Sequence, residues 1–236
     1  MTIRENQQKV VNLIRPANIL VSVFDKTNLD VLVASILNMN PDAVFYSTGG
    51  TGKKIVEILN DKASKNYMSV EEFTGAPEME GGLVKTLHPK VHAGLLAERG
   101  NPAHEKYLTE EMAKLGKGPG IYFDILAGNL YPFTSVTAKA DCTAEMARVN
   151  IDIGGPTMIM AGAKNWPSVA VLTNPADYTD FGLFLKKFGD TTLKLRFQLA
   201  QAAFQLIGEY RMSTARYFFG NQMFQKSVLP TLNIAE

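Results

Sequence analysis

The stretch AVFYSTGGTGKKIVEILND, residues 43–61, decides the fold. Residues 43–47 are apolar and aromatic like a buried strand, STGGTG follows as a loop, and Ile55, Ile58 and Leu59 then share one face of a helix over 52–61. The same order stands just upstream, where 18-NILVSVF-24 is a β-branched strand, DKTN a turn and 29-LDVLVASILNM-39 a helix. Downstream, 122-YFDILAGNL-130 and 168-SVAVLT-173 are strand-like, with a helical stretch, 143-TAEMARVN-150, between them. Strands alternating with helices predict an α/β fold, a parallel sheet with flanking helices.

Outward from that core, the polar tract 99–120 lacks a strand signal and reads as a surface excursion facing solvent, with a short helix inside it. From Thr191 to about Phe224 the spacing is helical, with an interruption expected at Gly208, so a C-terminal helical region extends the sheet. One domain over 1–236 is expected, with an α/β body at about 18–178 and a helical extension at about 179–236.

Composition narrows the function. The chain is 46% hydrophobic and 20% charged, and no apolar run approaches the roughly 18 residues of a spanning helix. Lys and Arg number 24 against 23 Asp and Glu, so no global field draws nucleic acid or an anionic membrane, and any anion must meet a local site. The N-terminal MTIRENQQKVVNLIRP carries charges where a secretory signal would be apolar, and Cys142 is the single cysteine. The cytoplasm is the expected compartment.

Three loops carry chemistry. In 47-STGGTG-52, at a strand's carboxyl end, Gly49 and Gly50 let backbone N–H groups converge, Ser47, Thr48 and Thr51 add hydroxyls, and the next helix offers its positive end to a phosphate. A capped turn is the plainer reading. The exit SVFDKTN brings Ser22 and Lys26 to the same edge. In 85-KTLHPKVHAGLL-96, Lys85 and Thr86 offer a cation and a hydroxyl; His88 and His92 are four apart, but zinc needs three or four ligands, and Pro89 argues against a helix showing both imidazoles on one face. In 150-NIDIGGPTMIMAGAKN-165, Asp152 precedes a glycine turn at the start of a helix expected to run from Pro156 to Lys164. There Asp152 is either a cap or a reactive carboxylate, and Lys164 its partner or an end charge. NLYPF, 129–133, is either a turn with buried aromatics or part of the same site.

Together SVFDKT, STGGT, EFTGAPEMEGGLVKTLHPKVHAGLLA, NLYPF, IDIGGPTMIMAGAKN and NPADY resemble, in order, the inosine monophosphate (IMP) cyclohydrolase portion of the bifunctional purine-biosynthesis enzyme. The resemblance runs from about Ile19 to Tyr178, with an echo in RFQLAQAAFQLIGEY. It implies a methylglyoxal synthase-like fold, a homodimer, no metal or organic cofactor, and closure of 5-formamidoimidazole-4-carboxamide ribonucleotide (FAICAR) to IMP. It maps phosphate and ribose contacts onto Ser22, Lys26, Ser47, Gly49, Gly50, Thr51 and Thr86. The chemistry maps onto Lys85, Tyr131, Asp152 and Lys164, supported by backbone groups near Asn129 and Gly154–Gly155. KTLHP and STGGT would be two walls of one site.

The chain departs from that pattern at Phe24, where the family usually has a second serine, and at Leu83, where it usually has arginine. The sequence also stops at Glu236, where a formyltransferase domain would follow, so a monofunctional enzyme fed by a separate formyltransferase is expected. Two other readings share the phosphate loop: a methylglyoxal synthase-like lyase and a non-catalytic nucleotide-sensing module. Neither has a use for IDIGG…AKN.

Overall fold

After a two-residue strand, β1 (Leu13–Ile14), the chain lays down five parallel strands, β2 (Asn18–Ser22), β3 (Val44–Ser47), β4 (Tyr67–Ser69), β5 (Ile125–Gly128) and β6 (Ala170–Leu172). They pair in the order β4-β3-β2-β5-β6. The structure is a computed structural model and describes residues 9–77, 79 and 84–219. Leu83 lies outside the described residues.

The strands are apolar on both faces, which is why they form a sheet covered on both sides. Ile19 and Val21 point into one core with Phe45 and Ile125, against helices α1 (Leu29–Met39) and α2 (Gly49–Leu59). Leu20 and Leu126 point the other way. Short helices α3 (Ala63–Asn66) and α4 (Val70–Thr74) flank the edge strand β4, α5 (Pro89–Leu96) packs under the second face, and α6 (Pro102–Lys106), α7 (Phe133–Thr137) and α8 (Ala144–Val149) lie in the long connections. Helix α9 (Gly154–Lys164) completes the second layer through Met158 and Ile159. Helix α10 (Tyr178–Phe188) joins the first core, a last strand, β7 (Thr191–Thr192), pairs antiparallel with β1, and α11 (Leu193–Phe218) buries Ala200, Ala203 and Ile207 in the second core.

Register decides where a site forms. Val21 is level with Ser47 and Ser22 with Gly128, so the exits of β2, β3 and β5 open side by side at one carboxyl edge.

The structure corrects three expectations. Helix α2 begins at Gly49, inside the stretch read as a loop, with Gly49 at φ +49°. Strand β4 was not foreseen, because three half-buried residues carry no periodic signal. Helix α11 runs through Gly208 without a break, since the packing of Ala200, Ala203 and Ile207 outweighs one glycine; residues 220–224 of that expected helix lie outside the described residues.

The 99–120 tract is the surface excursion expected, mostly exposed and with the short helix α6 inside it, and it is fastened to the body at a few points. Leu108 and Met112 are buried against Ala97. Lys90, fully buried on α5, donates through its ammonium to the carbonyls of Leu115, Lys117 and Gly118 and stands 4.5 Å from the centre of the Phe73 ring. Three carbonyl dipoles replace the water this cation gave up, although burial still lowers its pKa. Gly116, at φ +60°, lies so close to Gly75 that a Cβ on it would sit 2.4 Å from the Gly75 nitrogen.

Candidate active site

The three strand exits meet the 84–87 turn and the start of α9 around one open cleft of about 560 Å³. Of the residues singled out in the sequence, Ser22, Lys26, Gly49, Gly50, Thr51, Lys85, Thr86, Asn129, Tyr131, Asp152, Gly154 and Gly155 line it. Lys85, Thr86 and Leu87 of KTLHP line it together with Thr48, Gly49, Gly50 and Thr51 of STGGT.

At one end stands the N-terminus of α2. Thr48 is its N-cap residue and lines the cleft together with Gly49 and Gly50. A Cβ on Gly49 would be 3.1 Å from Lys85 Nζ, so the Lys85 ammonium stands directly over the first turn of the helix. A helix N-terminus with a lysine above it concentrates positive potential on this end of the cleft. Lys26 borders the same region, its Nζ hydrogen-bonded to the Phe24 carbonyl at 3.1 Å.

Not every hydroxyl of the loop is free for a ligand. Ser47 is fully buried and donates to the Val21 carbonyl at 2.7 Å, and it does not line the cleft. Thr51 lines it, but its Oγ1 donates to the Val23 carbonyl at 2.8 Å. Both hydroxyls therefore fasten β3 and α2 to β2.

Asp152 occupies the opposite wall. Its Oδ1 accepts from the Gly155 N–H at 2.8 Å, the Tyr131 backbone N–H also reaches its carboxylate, and its own N–H donates to Tyr210 Oη at 2.7 Å. It is both the cap of α9 and a carboxylate facing the cleft. Burial raises its pKa, and the two backbone N–H groups partly offset that rise. Glycine is required behind it, because a Cβ on Gly155 would sit 2.5 Å from Asp152 Oδ2; one on Gly154 would lie 2.8 Å from Thr86 Oγ1.

Lys164 is not brought to this carboxylate. Helix α9 begins at Gly154 rather than Pro156 and runs 11 residues, about 15 Å, so Lys164 is exposed at its far end and outside the cleft lining. Asn129 lines the cleft, and its side chain is engaged by its neighbours. Its Oδ1 accepts from the N–H groups of Phe24 (2.7 Å) and Asp25 (2.9 Å), and its Nδ2 donates to the Asp25 carbonyl (2.8 Å). The side chain therefore ties the β2 exit to the β5 exit.

His88 caps α5, accepting from the Lys90 N–H at 3.1 Å, and His104 Nδ1 accepts from the Glu98 N–H. Among the described residues no three His, Cys, Asp or Glu side chains converge to hold a metal.

Sequence reasoning missed two participants. Tyr210 supports Asp152 from α11, and no local pattern could announce a partner 58 residues away. Val84 holds φ +59°, a left-handed conformation that a β-branched residue rarely adopts, beside Lys85 at the cleft.

A family model described as the AICARFT/IMPCHase bienzyme matches residues 162–235. The bifunctional purine biosynthesis protein PurH of Xanthomonas campestris pv. campestris (strain 8004) is 44% identical over 201 residues, covering 84% of this chain and 35% of the relative. Its counterpart from Synechococcus sp. (strain CC9902) is 41% identical over 199 residues, covering 84% and 36%. The chain thus spans about a third of the length of the curated relatives it matches. Among solved structures, the crystal structure of ForH superposes with a TM-score of 0.66 at 29% identity, covering 86% of this chain and 99% of that one. The chain belongs to the AICARFT/IMPCHase bienzyme family, over the part that corresponds to its IMP cyclohydrolase domain.

Proposed function

We propose that the chain is an IMP cyclohydrolase that closes FAICAR to IMP with loss of water. The observation that carries this reading is that Asp152 and Tyr131 line the same cleft as the Lys85-topped N-terminus of α2. A phosphate at α2 leaves the base of a nucleotide to reach the Asp152 wall.

In the reaction the carboxamide nitrogen attacks the formyl carbon, a C–N bond forms, and the formyl oxygen leaves as water with one proton from each of the two nitrogens. Both reacting groups are in one molecule, so the protein's part is to hold them in line and to move protons. Asp152 takes the proton of the attacking amide. The Tyr131 hydroxyl, on a side chain 47% exposed at the cleft, donates to the formyl oxygen as it gains charge. Lys85 serves the phosphate rather than the formyl group, because of its place over Gly49. Ser22, Lys26, Gly50 and Thr86 complete the phosphate and ribose contacts. Lys164, at the far end of α9, is not among the residues lining this cleft and is given no step here.

The test is direct: purified protein with FAICAR should give the ultraviolet absorbance of IMP, and with dihydroxyacetone phosphate no methylglyoxal. Methylglyoxal formation, or nucleotide binding without turnover, would replace this reading. Lys85→Met should weaken IMP about 10- to 100-fold, as loss of a charge-assisted contact does, with a smaller change in turnover at saturation. A drop confined to turnover would return Lys85 to the formyl oxygen.

The same reading places formyl transfer on a separate catalytic unit and the protein in the cytoplasm; no helix among the described residues is long and apolar enough to cross a membrane. It also includes a homodimer, for which exposed Phe197, Phe204 and Met212 on α11 offer an apolar face. Sedimentation at micromolar concentration should show twice the chain mass, and a monomer there would remove the dimer.

A further inference from the structure

The cleft joins a cationic part, made by the α2 N-terminus with Lys85 and Lys26, to an aromatic pair at the exits of β2 and β5, where the Phe24 carbonyl accepts from Lys26 Nζ. In that pair Phe24 and Tyr131 meet edge to face, ring centroids 5.6 Å apart and planes at 77°. Both line the cleft and stay about half exposed, at 52% and 47%. Two exposed rings on loops would ordinarily be poorly placed, but here the backbone beneath them is clamped. Three hydrogen bonds through Asn129 hold residues 24 and 25 against the β5 exit, and the Tyr131 N–H is held by the Asp152 carboxylate. Ile153, 60% exposed, continues the apolar surface.

We propose that Phe24, clamped through Asn129 against Tyr131, is a specificity-determining residue that packs on the heteroaromatic ring of the nucleotide. The proposal rests on the nucleotide reading of the cleft and extends it to the choice of substrate. A flat ring laid against a prepositioned aromatic wall leaves water without ordering new side chains, so most of the burial is available for binding. Phe24 has no polar atom, so it acts on binding and not on proton transfer. Its contribution is reserved for ligands that carry a base. A sugar phosphate filling only the α2 end gains nothing from it.

The test compares IMP with ribose 5-phosphate by calorimetry on wild type, Phe24→Ala and Phe24→Trp, alongside FAICAR kinetics. Phe24→Ala should weaken IMP about tenfold or more, as loss of a stacking partner does. The same variant should change ribose 5-phosphate less than about twofold, and raise KM for FAICAR far more than it lowers kcat. Phe24→Trp should hold IMP at wild-type strength or tighter. Both variants should melt near wild type, because the ring is half exposed. Equal loss of both ligands, or unchanged IMP affinity in Phe24→Ala, would overturn the role of Phe24 and leave the nucleotide site standing. Wild type that binds ribose 5-phosphate but not IMP would overturn the nucleotide reading and this inference with it.

Discussion

Asp152→Asn should cut turnover of FAICAR about 100- to 10,000-fold, the range for loss of a positioned base, while IMP binds within about tenfold of wild type. Asn keeps an oxygen that can accept from the Gly155 N–H, so the start of α9 survives and only the proton acceptor is lost. The pH dependence follows from burial. Burial raises the Asp152 pKa, the base works only when ionised, and so wild-type turnover should fall as pH drops through a pKa above that of an ordinary aspartate. Stability should move the other way. A carboxylate with a raised folded pKa contributes stability that is present below its unfolded pKa and lost as pH rises through the folded one. At neutral pH Asp152→Asn avoids that loss, so it should melt at or above wild type. Near wild-type turnover in this variant would remove Asp152 from the mechanism.

Arg196→Met should give the largest loss of stability, about 3–5 kcal/mol. Arg196 is fully buried at the start of α11. Its guanidinium donates to the carbonyls of Val11, Asn12, Trp166, Pro167 and Thr191. One side chain thereby joins the N-terminal strand, the approach to β6 and the last helix. Burial pulls its pKa down to about 10, which still leaves it charged at neutral pH. Methionine fills the volume but removes the donor from five carbonyls, of which those shielded from water cost about 1–3 kcal/mol each when unsatisfied. For a chain of this size the melting temperature should fall by about 10 °C, at about 2–4 °C per kcal/mol. Lysine should rescue little, because a point ammonium cannot span five acceptors. A drop of less than about 2 °C in Arg196→Met would show that these bonds are replaceable. Because this knot sits at the amino ends of the strands, the folded variant should still bind IMP.

Strands β2, β3, β5 and β6 and the helices over 29–39 and 143–150 were legible because burial on a sheet or against it imposes periods that a chain cannot hide. Register was not written in any window, yet it alone puts Ser22, Gly49 and Gly128 at one edge. The tract 99–120 was legible as a surface excursion because charges dominate its composition, and most of it is exposed. What no window showed is its fastening through Leu108, Met112 and the buried ammonium of Lys90.

By itself the sequence determined the α/β class, a glycine- and hydroxyl-rich loop at a strand exit and a carboxylate at a helix start, since these depend on residues near one another in the chain. The tertiary structure decided which of those groups face the cleft. It turned the Ser47 and Thr51 hydroxyls onto β2 and made the Asn129 side chain a clamp between loops. It set Lys85 over the turn at Gly49 and left Lys164 a helix length away from Asp152. Polar groups at strand exits must satisfy whichever backbone partner the packing brings within about 3 Å, and that partner is fixed by contacts spanning 26 to 105 residues of chain.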